Sequence, residues 1–250
     1  MNAGGTTSDI AGKESLTIST GHSVELPAEL EATMLGAVFA APKEAVSELL
    51  PDGLRPVRAT PTGKAAVTLL SVEYRAVSVP DLDPYDEFAV ILPASHTSPA
   101  SVPYASALME ATNGYVWYMP VTTEPARAFG ADVWGFPKVV ADIAHRDEGS
   151  ARETTVSVDG QRFVTLTVER PPAIENEDDG FSYTTHGGRL HRVGSEIEAE
   201  AGVWPFSSSV SVTLGDHPKA EPLRGLGLGG RALGRISLNG TVRFSPAEPV

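Results

Sequence analysis

The segment TEPARAFGADVWGFPK, residues 123–138, decides the fold assignment of this chain. Thr123 followed by Pro125 is typical of a helix N-terminus, because the threonine side chain accepts a bond from a free backbone N–H and proline fits the first turn. We expect this short helix to end near Gly130. Apolar residues continue after Lys138, which indicates a strand. The segment therefore predicts a helix, a turn and a strand that begins at a lysine.

Lys138 differs from the other four lysines, which lie in polar or turn contexts. Its neighbours in the sequence are apolar or aromatic. Burial disfavours the charged form of an amine, and the neutral amine can attack a carbonyl carbon to form a Schiff base. The alternative is a lysine that begins a strand and extends its ammonium group into water. The residues alone leave both interpretations open.

Short helices and many strands are predicted on both sides of this segment. Alternating apolar residues and turn sequences predict an antiparallel meander over residues 139–170, and a final hairpin over residues 235–245. The pattern is typical of an α+β, mainly antiparallel β fold with a few short helices, whose curved sheet or β-barrel encloses a small-molecule cavity. Further predicted elements are a strand at 33–40, a helix at 42–50, a hairpin at 54–74, and strands at 87–95 and 115–123.

The remaining segments are predicted to lie outside the strands. Residues 1–24 are rich in Gly, Ser and Thr without periodicity, so we expect a flexible leader followed by one domain at 25–250. The acidic run at 175–180 is predicted as a solvated loop, and the glycine-rich stretch at 223–234 as another loop.

The composition excludes several classes of protein. Nineteen Lys and Arg against 32 Asp and Glu give a formal charge of −13, which disfavours binding to a nucleic-acid backbone. There is no cysteine, so disulfides and thiolate chemistry are absent. No apolar run of signal-peptide or membrane-spanning length occurs, so we expect a cytoplasmic protein that does not bind membranes. The six histidines lack metal-ligand spacing, and we predict no metal site.

Residues 123–138 resemble the acetoacetate decarboxylase family, in which a helix leads to a Gly-Phe-Pro-Lys or Tyr-Pro-Lys motif bearing the imine-forming lysine. The spacing needs no gap. Upstream, YDE at 85–87 resembles the Tyr-x-Glu segment of that family, and VFAAPKEAVSELLPDGL at 38–54 resembles its first strand, helix and turn. The resemblance covers about residues 30–145, and the remainder follows by strand pattern only.

The resemblance implies roles for individual residues. Lys138 matches the Schiff-base nucleophile, and Glu87 matches an acidic group near the substrate that is a candidate proton shuttle. Without the family, Glu87 is better explained as an exposed strand charge, and the two aromatic residues before Lys138 are equally good core residues. The residues assigned to the substrate pocket are Phe136, Trp134, Tyr85, Val139 and Arg127, the last as a possible source of positive charge.

Two positions depart from the family pattern. Val139 stands where family decarboxylases carry a second lysine, and Ala40 stands where their first strand ends in an arginine. A cation beside the nucleophile lowers the affinity of its amine for a proton, and an arginine can pair with a substrate carboxylate. These departures disfavour acetoacetate as the substrate.

The resemblance implies a cofactor-independent lyase acting on a β-keto acid, a 2-oxo acid or a ketone through an imine on Lys138. That intermediate supports decarboxylation, aldol chemistry or dehydration. The alternative is a non-catalytic small-molecule binding protein that keeps the cavity of the family. The resemblance also implies a homo-oligomer.

Overall fold

The computed structural model describes residues 14–96 and 112–250. In these ranges no helix has the length and apolar character needed to span a membrane. The helices are α1 Lys43–Ser47, α2 Glu124–Trp134 and α3 Ala220–Gly225. The strands are β1 Glu14–Thr17, β2 Ser23–Leu26, β3 Ala28–Ala41, β4 Arg55–Pro56, β5 Ala65–Val77, β6 Tyr85–Leu92, β7 Ala94–Ser95, β8 Gly114–Val121, β9 Lys138–Val140, β10 Asp142–Glu148, β11 Ala151–Val158, β12 Gln161–Glu169, β13 Ile174–His186, β14 Arg189–Pro205, β15 Val210–Leu214 and β16 Gly234–Pro249.

Seven strands form a closed barrel in the order β13, β14, β16, β3, β5, β6, β8. Neighbours are antiparallel except β8 and β13, which close the barrel in parallel through Ser182 opposite Gly114. At its other end β8 also pairs in parallel with β9, where Met119 lies opposite Lys138. The prediction of a mainly antiparallel barrel with a few short helices is confirmed.

Alternate residues of the barrel strands enter two separate cores. On β5, Leu70 and Val72 belong to the core inside the barrel, whereas Leu69 belongs to an outer core. On β6, Ala89 faces inward and Val90 outward. This alternation follows from the two-residue period of a strand, which places successive side chains on opposite faces.

A four-stranded antiparallel sheet, in the order β10, β11, β12, β15, covers the outer core. Its inward side chains include Val156, Phe163 and Leu166, which are almost completely buried. The predicted meander over 139–170 is confirmed for β10 to β12, although Val139 and Val140 belong to the separate strand β9.

The predicted leader at 1–24 is too long by its last eleven residues. β1 and β2 form a hairpin, and Ile18 and Val24 are buried in the inner core. The sequence signal is weak there because the buried positions are sparse among polar residues. Residues 1–13 lie outside the described part of the chain, as do residues 97–111 between the predicted strands at 87–95 and 115–123.

Two predicted hairpins are wrong. Arg55 and Pro56 pair with Ser95 and Ala94 rather than with β5, and only Arg58 bridges to Ala65 across the turn. The segment 235–245 is one continuous strand, β16, which pairs with β14 on one side and β3 on the other. Pairing on both sides satisfies the backbone groups around Asn239 and Gly240 and overrides the turn preference of this pair.

Three other boundaries differ from prediction. The acidic run at 175–180 lies in β13 and pairs with β14, because backbone pairing outweighs the loop preference of exposed charged residues. Helix α3 occupies the start of the predicted glycine-rich loop. Helix α2 continues through Gly130 and ends at Gly135, whose φ of 74° is the left-handed conformation that terminates helices.

Candidate active site

Three barrel strands and the first residue of β9 bring the candidate site residues together. Tyr85 and Glu87 are two residues apart on β6 and therefore share its inward face. Tyr74 on β5 lies opposite Tyr85 in the strand register, and Lys138 lies beside Met119 of β8. The inward faces of β5, β6 and β9 thus meet at one place inside the barrel.

Lys138 and Glu87 form a buried ion pair. Lys138 Nζ lies 2.7 Å from Glu87 Oε2, and both side chains are 4% exposed. The two groups lack hydrogen-bond alignment, so Oε2 has no hydrogen-bond donor among the described residues. A buried pair of this kind balances two costly charges against each other, and it can also exchange one proton between the carboxylate and the amine.

Two tyrosine hydroxyls complete the polar group. Tyr74 Oη donates to Glu87 Oε1 at 3.3 Å, and Lys138 Nζ donates to Tyr85 Oη over a long 3.5 Å. Burial, followed by the negative charge of Glu87, raises the pKa of Tyr74 and of Tyr85 well above the ordinary value. Both phenols therefore stay protonated, and Tyr74 acts as a hydrogen-bond donor to Glu87.

The turn before Lys138 is fixed by bonds to two distant strands. Trp134 Nε1 donates to the backbone oxygen of Ser245 on β16 at 2.8 Å. The hydroxyl of Thr184 on β13 donates to the backbone oxygen of Gly135 at 2.6 Å. These bonds hold the end of α2 against the barrel, so the direction in which Lys138 enters the cavity is set by the fold.

Gly130 of α2 provides the space for the lysine side chain. A Cβ atom at this position would lie 2.2 Å from Lys138 Cε and 2.8 Å from Nζ. Such distances are shorter than van der Waals contact, so any larger residue would displace the amine. The helix start agrees with prediction: the Thr123 side chain accepts a bond from the N–H of Ala126.

The ion pair faces a cavity of about 100 Å³ inside the barrel. Its walls are mainly apolar and aromatic, and its polar lining comes from residues such as Asn113, Ser182 and Ser195. Among the described residues that line it, Glu87 and Lys138 are the only charged ones. An amine and a carboxylate in a small apolar cavity suit imine formation with a small carbonyl compound.

The structure brings five of the seven predicted site residues together. Lys138, Glu87, Tyr85, Phe136 and Trp134 all line the cavity.

The other two predicted pocket residues lie elsewhere. Val139 is next to Lys138 on β9, so its side chain faces the outer core. Arg127 lies on the outer side of α2 in an ion pair with Glu124, 2.6 Å between Nη2 and Oε1. Neither residue supplies a wall or a charge to the cavity.

Ala40 does not line the cavity either. It packs in a small separate cluster. β3 reaches the cavity through Leu30 and Met34 instead. The position from which this strand could present a cation to a substrate is therefore Met34 or Leu30, and both are apolar.

Sequence reasoning missed Tyr74 and the contributions of β13 and β14. Tyr74 is part of an apolar alternating strand, and its pairing with Tyr85 follows only from the strand register. Phe181 and Ile197 line the cavity from strands far along the chain. No group of three potential metal ligands occurs among residues 14–96 and 112–250.

Comparison with known families gives a match over most of the chain. The family model described as acetoacetate decarboxylase (ADC) matches residues 16–245. Comparison with curated protein sequences gives no significant match.

Solved structures with the same fold include decarboxylases and a biosynthetic enzyme. A structure of acetoacetate decarboxylase superposes with a TM-score of 0.63 at 16% identity, covering 90% of this chain and 89% of the other. The acetoacetate decarboxylase of Legionella pneumophila gives 0.63 at 13% identity, covering 90% and 87%. The enduracididine biosynthesis enzyme MppR complexed with pyruvate gives 0.67 at 16% identity, covering 96% and 98%. At these identities the likeness establishes the fold.

Proposed function

This chain belongs to the acetoacetate decarboxylase family, and from that membership we propose that it is a carbon–carbon lyase that forms a Schiff base between Lys138 and the carbonyl group of a ketone or keto acid. The observation that carries the proposal is the pair of Lys138 Nζ and Glu87 Oε2, 2.7 Å apart and both 4% exposed. Burying an amine in an apolar cavity costs free energy, and buried titratable groups of this kind cluster at functional sites. In this mechanism the protein needs no cofactor.

Glu87 serves as the proton shuttle during imine formation. It accepts a proton from the Lys138 ammonium, and the free amine then adds to the carbonyl carbon to give a carbinolamine. Glu87 returns the proton to the carbinolamine hydroxyl, which leaves as water. The net change replaces the ammonium ion by an iminium ion and releases one water molecule, while Glu87 ends as a carboxylate beside the new positive charge.

The iminium ion then weakens a bond to the carbon next to it. The bond that breaks joins this neighbouring carbon to the fragment that leaves. Its electron pair stays on the neighbouring carbon, which becomes part of an enamine, and the other fragment departs as an aldehyde or as carbon dioxide. The enamine takes up one proton at carbon, and water hydrolyses the resulting iminium to release the ketone and Lys138. The complex of the MppR enzyme with pyruvate supports a small carbonyl compound as ligand of this fold.

Tyr74 acts as a positioning residue for Glu87. Its hydroxyl donates to Oε1, which leaves Oε2 as the carboxylate oxygen beside the amine, 2.7 Å from Nζ. Because burial and Glu87 raise the pKa of Tyr74, the donor stays protonated throughout the cycle.

Trapping with borohydride tests the proposal. The protein is incubated with acetone, acetylacetone, pyruvate or acetoacetate in the presence of borohydride, and its intact mass and peptides are then measured. We expect a covalent mass increase that maps to Lys138 for at least one compound, and no such adduct in Lys138→Gln. Replacing the exposed Lys43 by Gln is the matched control and should leave the adduct unchanged.

The same experiment separates the enzyme from a binding protein. Absence of any adduct on Lys138, together with a ligand-induced rise in melting temperature, contradicts the imine mechanism and supports non-catalytic binding.

A further inference from the structure

We propose that the substrate is an uncharged ketone with an apolar body, and that it carries no carboxylate. The inference rests on the proposed imine chemistry and narrows its substrate class. It is carried by the distribution of charge around the cavity, whose described lining combines a single cation with a single anion.

Imine formation already uses Lys138, the one cation among the described residues of the cavity wall. Lys138 Nζ becomes the imine nitrogen, and its positive charge lies 2.7 Å from Glu87. A substrate carboxylate would therefore need a second cation to replace the water it loses on entering the cavity. Among the described residues that line the cavity no other Lys, Arg or His occurs.

The buried arginines of the described chain point away from the cavity. Arg235 is the most buried of them, but its guanidinium lies 2.9 Å from Glu169 on the outer side of β16. Arg152 is held by Glu73 and Asp147 between the barrel and the outer sheet. Both are committed to other carboxylates.

The cavity-facing positions of β3 offer no replacement, since they are Leu30 and Met34. The charges of Lys138 and Glu87 cancel, so the described lining of the cavity offers no net positive charge to an anion.

A second cavity accommodates an apolar body longer than that of acetone. This space of about 80 Å³ lies beside the first, and Met34, Leu70, Ile197 and Leu238 line both. Methionine is unbranched and changes rotamer easily, so movement of Met34 can join the two spaces. The charged residue on the second cavity is the exposed Asp178, which again disfavours an anionic group.

An uncharged substrate selects among the reactions open to the imine. Decarboxylation requires a carboxylate on the substrate, whereas retro-aldol cleavage requires only a hydroxyl group on the carbon two bonds from the imine carbon. In that cleavage the Glu87 carboxylate accepts the hydroxyl proton, the carbon–carbon bond breaks, and an aldehyde leaves while the enamine keeps the electron pair. Glu87 then returns the proton to the enamine carbon. The charge distribution therefore favours aldol-type chemistry on a β-hydroxy ketone.

A matched pair of probes tests the substrate class. The concentrations of 2-octanone and 2-oxooctanoate that give half-maximal borohydride trapping at Lys138 are compared, as are those of acetone and pyruvate. We expect the neutral member of each pair to need a concentration lower by about tenfold or more, since a buried unpaired carboxylate costs at least that much. We also expect 2-octanone to be trapped at a lower concentration than acetone.

A charge-introducing variant provides the second test. Met34→Arg places a cation on the cavity face of β3, and it should shift the preference toward 2-oxooctanoate by about tenfold, because arginine pairs with carboxylates in two-point geometry. Met34→Gln, of similar length but neutral, should keep the preference for 2-octanone. Melting curves show whether both variants fold. If Met34→Arg does not fold, the comparison of the four probes on the natural protein still tests the proposal.

The outcomes are distinguishable from those of the proposed function. Trapping of 2-oxooctanoate as readily as 2-octanone overturns the uncharged substrate class and leaves the imine mechanism intact. Failure of these four compounds, and also of acetylacetone and acetoacetate, to label Lys138 overturns both proposals together.

Discussion

Glu87 is the residue that converts a buried lysine into a reactive one in the proposed mechanism. Replacing it with glutamine preserves the shape of the side chain and removes the charge and the proton acceptor. We expect borohydride trapping of Lys138 in Glu87→Gln to slow by about a hundredfold, the usual contribution of a positioned acid–base group. The measurement is the rate of adduct formation at saturating ketone, followed by intact mass.

Asp86 provides the control for this prediction. It is adjacent to Glu87 on β6 but points to the other side of the strand, where its Oδ1 lies 3.5 Å from His145 Nε2. Asp86→Asn should leave the rate of trapping unchanged. An unchanged rate in Glu87→Gln as well would show that proton transfer in the cavity does not depend on this carboxylate.

At the residue scale, sequence reasoning succeeded where function depends on a local motif. Lys138 and Glu87 were identified by two short segments that resemble the family, and both line the cavity. Val139 and Arg127 were assigned to the pocket by nearness in sequence, which does not fix the face of a strand or of a helix. Tyr74 was missed because its role depends on register between two strands.

At the scale of elements, α2 and β9 act as one unit because Gly130 lies against the Lys138 side chain. In the middle of an exposed helix, Gly→Ala stabilises by about 1 kcal/mol. In Gly130→Ala the new methyl group would overlap Lys138 Cε, 2.2 Å away. We expect the amine to move from Glu87 and imine trapping to fall by about tenfold or more, as positioning errors near 1 Å can cost a hundredfold.

Gly225→Ala is the matched control for the general effect of a glycine-to-alanine substitution in a helix. Gly225 is the last residue of α3, and nothing lies within 4 Å of a Cβ atom built there. This variant should retain full trapping at Lys138. Equal trapping in Gly130→Ala, Gly225→Ala and the natural protein would mean that the lysine finds the same position without the space at Gly130.

The elements that sequence reasoning predicted well are those with local signals. Thr123 and Pro125 correctly marked the start of α2, and the predicted meander agrees with β11 and β12, which pair across the turn at Asp159 and Gly160. The end of α2 was placed too early because Gly130 is a weak helix residue, although here it lies inside the helix and leaves the space that Lys138 occupies. β16 was divided because its Asn-Gly pair favours turns, whereas pairing with β14 and β3 keeps it straight.

At the scale of the whole molecule, the outer sheet supports the barrel strands that carry the site. Thr154 of β11 donates to Ser71 of β5 across the outer core at 2.9 Å. Arg152 of the same strand lies 2.8 Å from Glu73 of β5. Contacts between segments so distant in sequence leave no pattern in either segment. Composition and periodicity therefore predicted the strands but not which of them pack against each other. β5 also carries Tyr74, so these contacts indirectly hold the hydrogen-bond donor of Glu87.

The bridge made by Arg152 gives a prediction for the stability of this two-layer arrangement. Its guanidinium joins Glu73 of the barrel to Asp147 of the outer sheet, and its side chain is 12% exposed. We expect Arg152→Met to lower the free energy of unfolding at neutral pH by about 1–2 kcal/mol, in the range of charge-assisted hydrogen bonds. Urea unfolding measures the difference. Arg127→Met, which removes an exposed pair within one helix, should change it little and leave trapping at Lys138 intact.

The pH dependence of the Arg152 effect follows from Asp147. The hydrogen bond from Arg152, helped by its positive charge, lowers the pKa of Asp147 in the folded protein. In the unfolded chain an aspartate titrates near about 3.9. The unfolded state therefore binds more protons as the pH falls through this value, and the stability due to the pair, fully present above about pH 4, is lost below it. The difference in free energy of unfolding between the natural protein and Arg152→Met should therefore shrink when urea unfolding is repeated near pH 3. An equal difference at both values of pH would assign the effect of Arg152 to packing of its side chain alone.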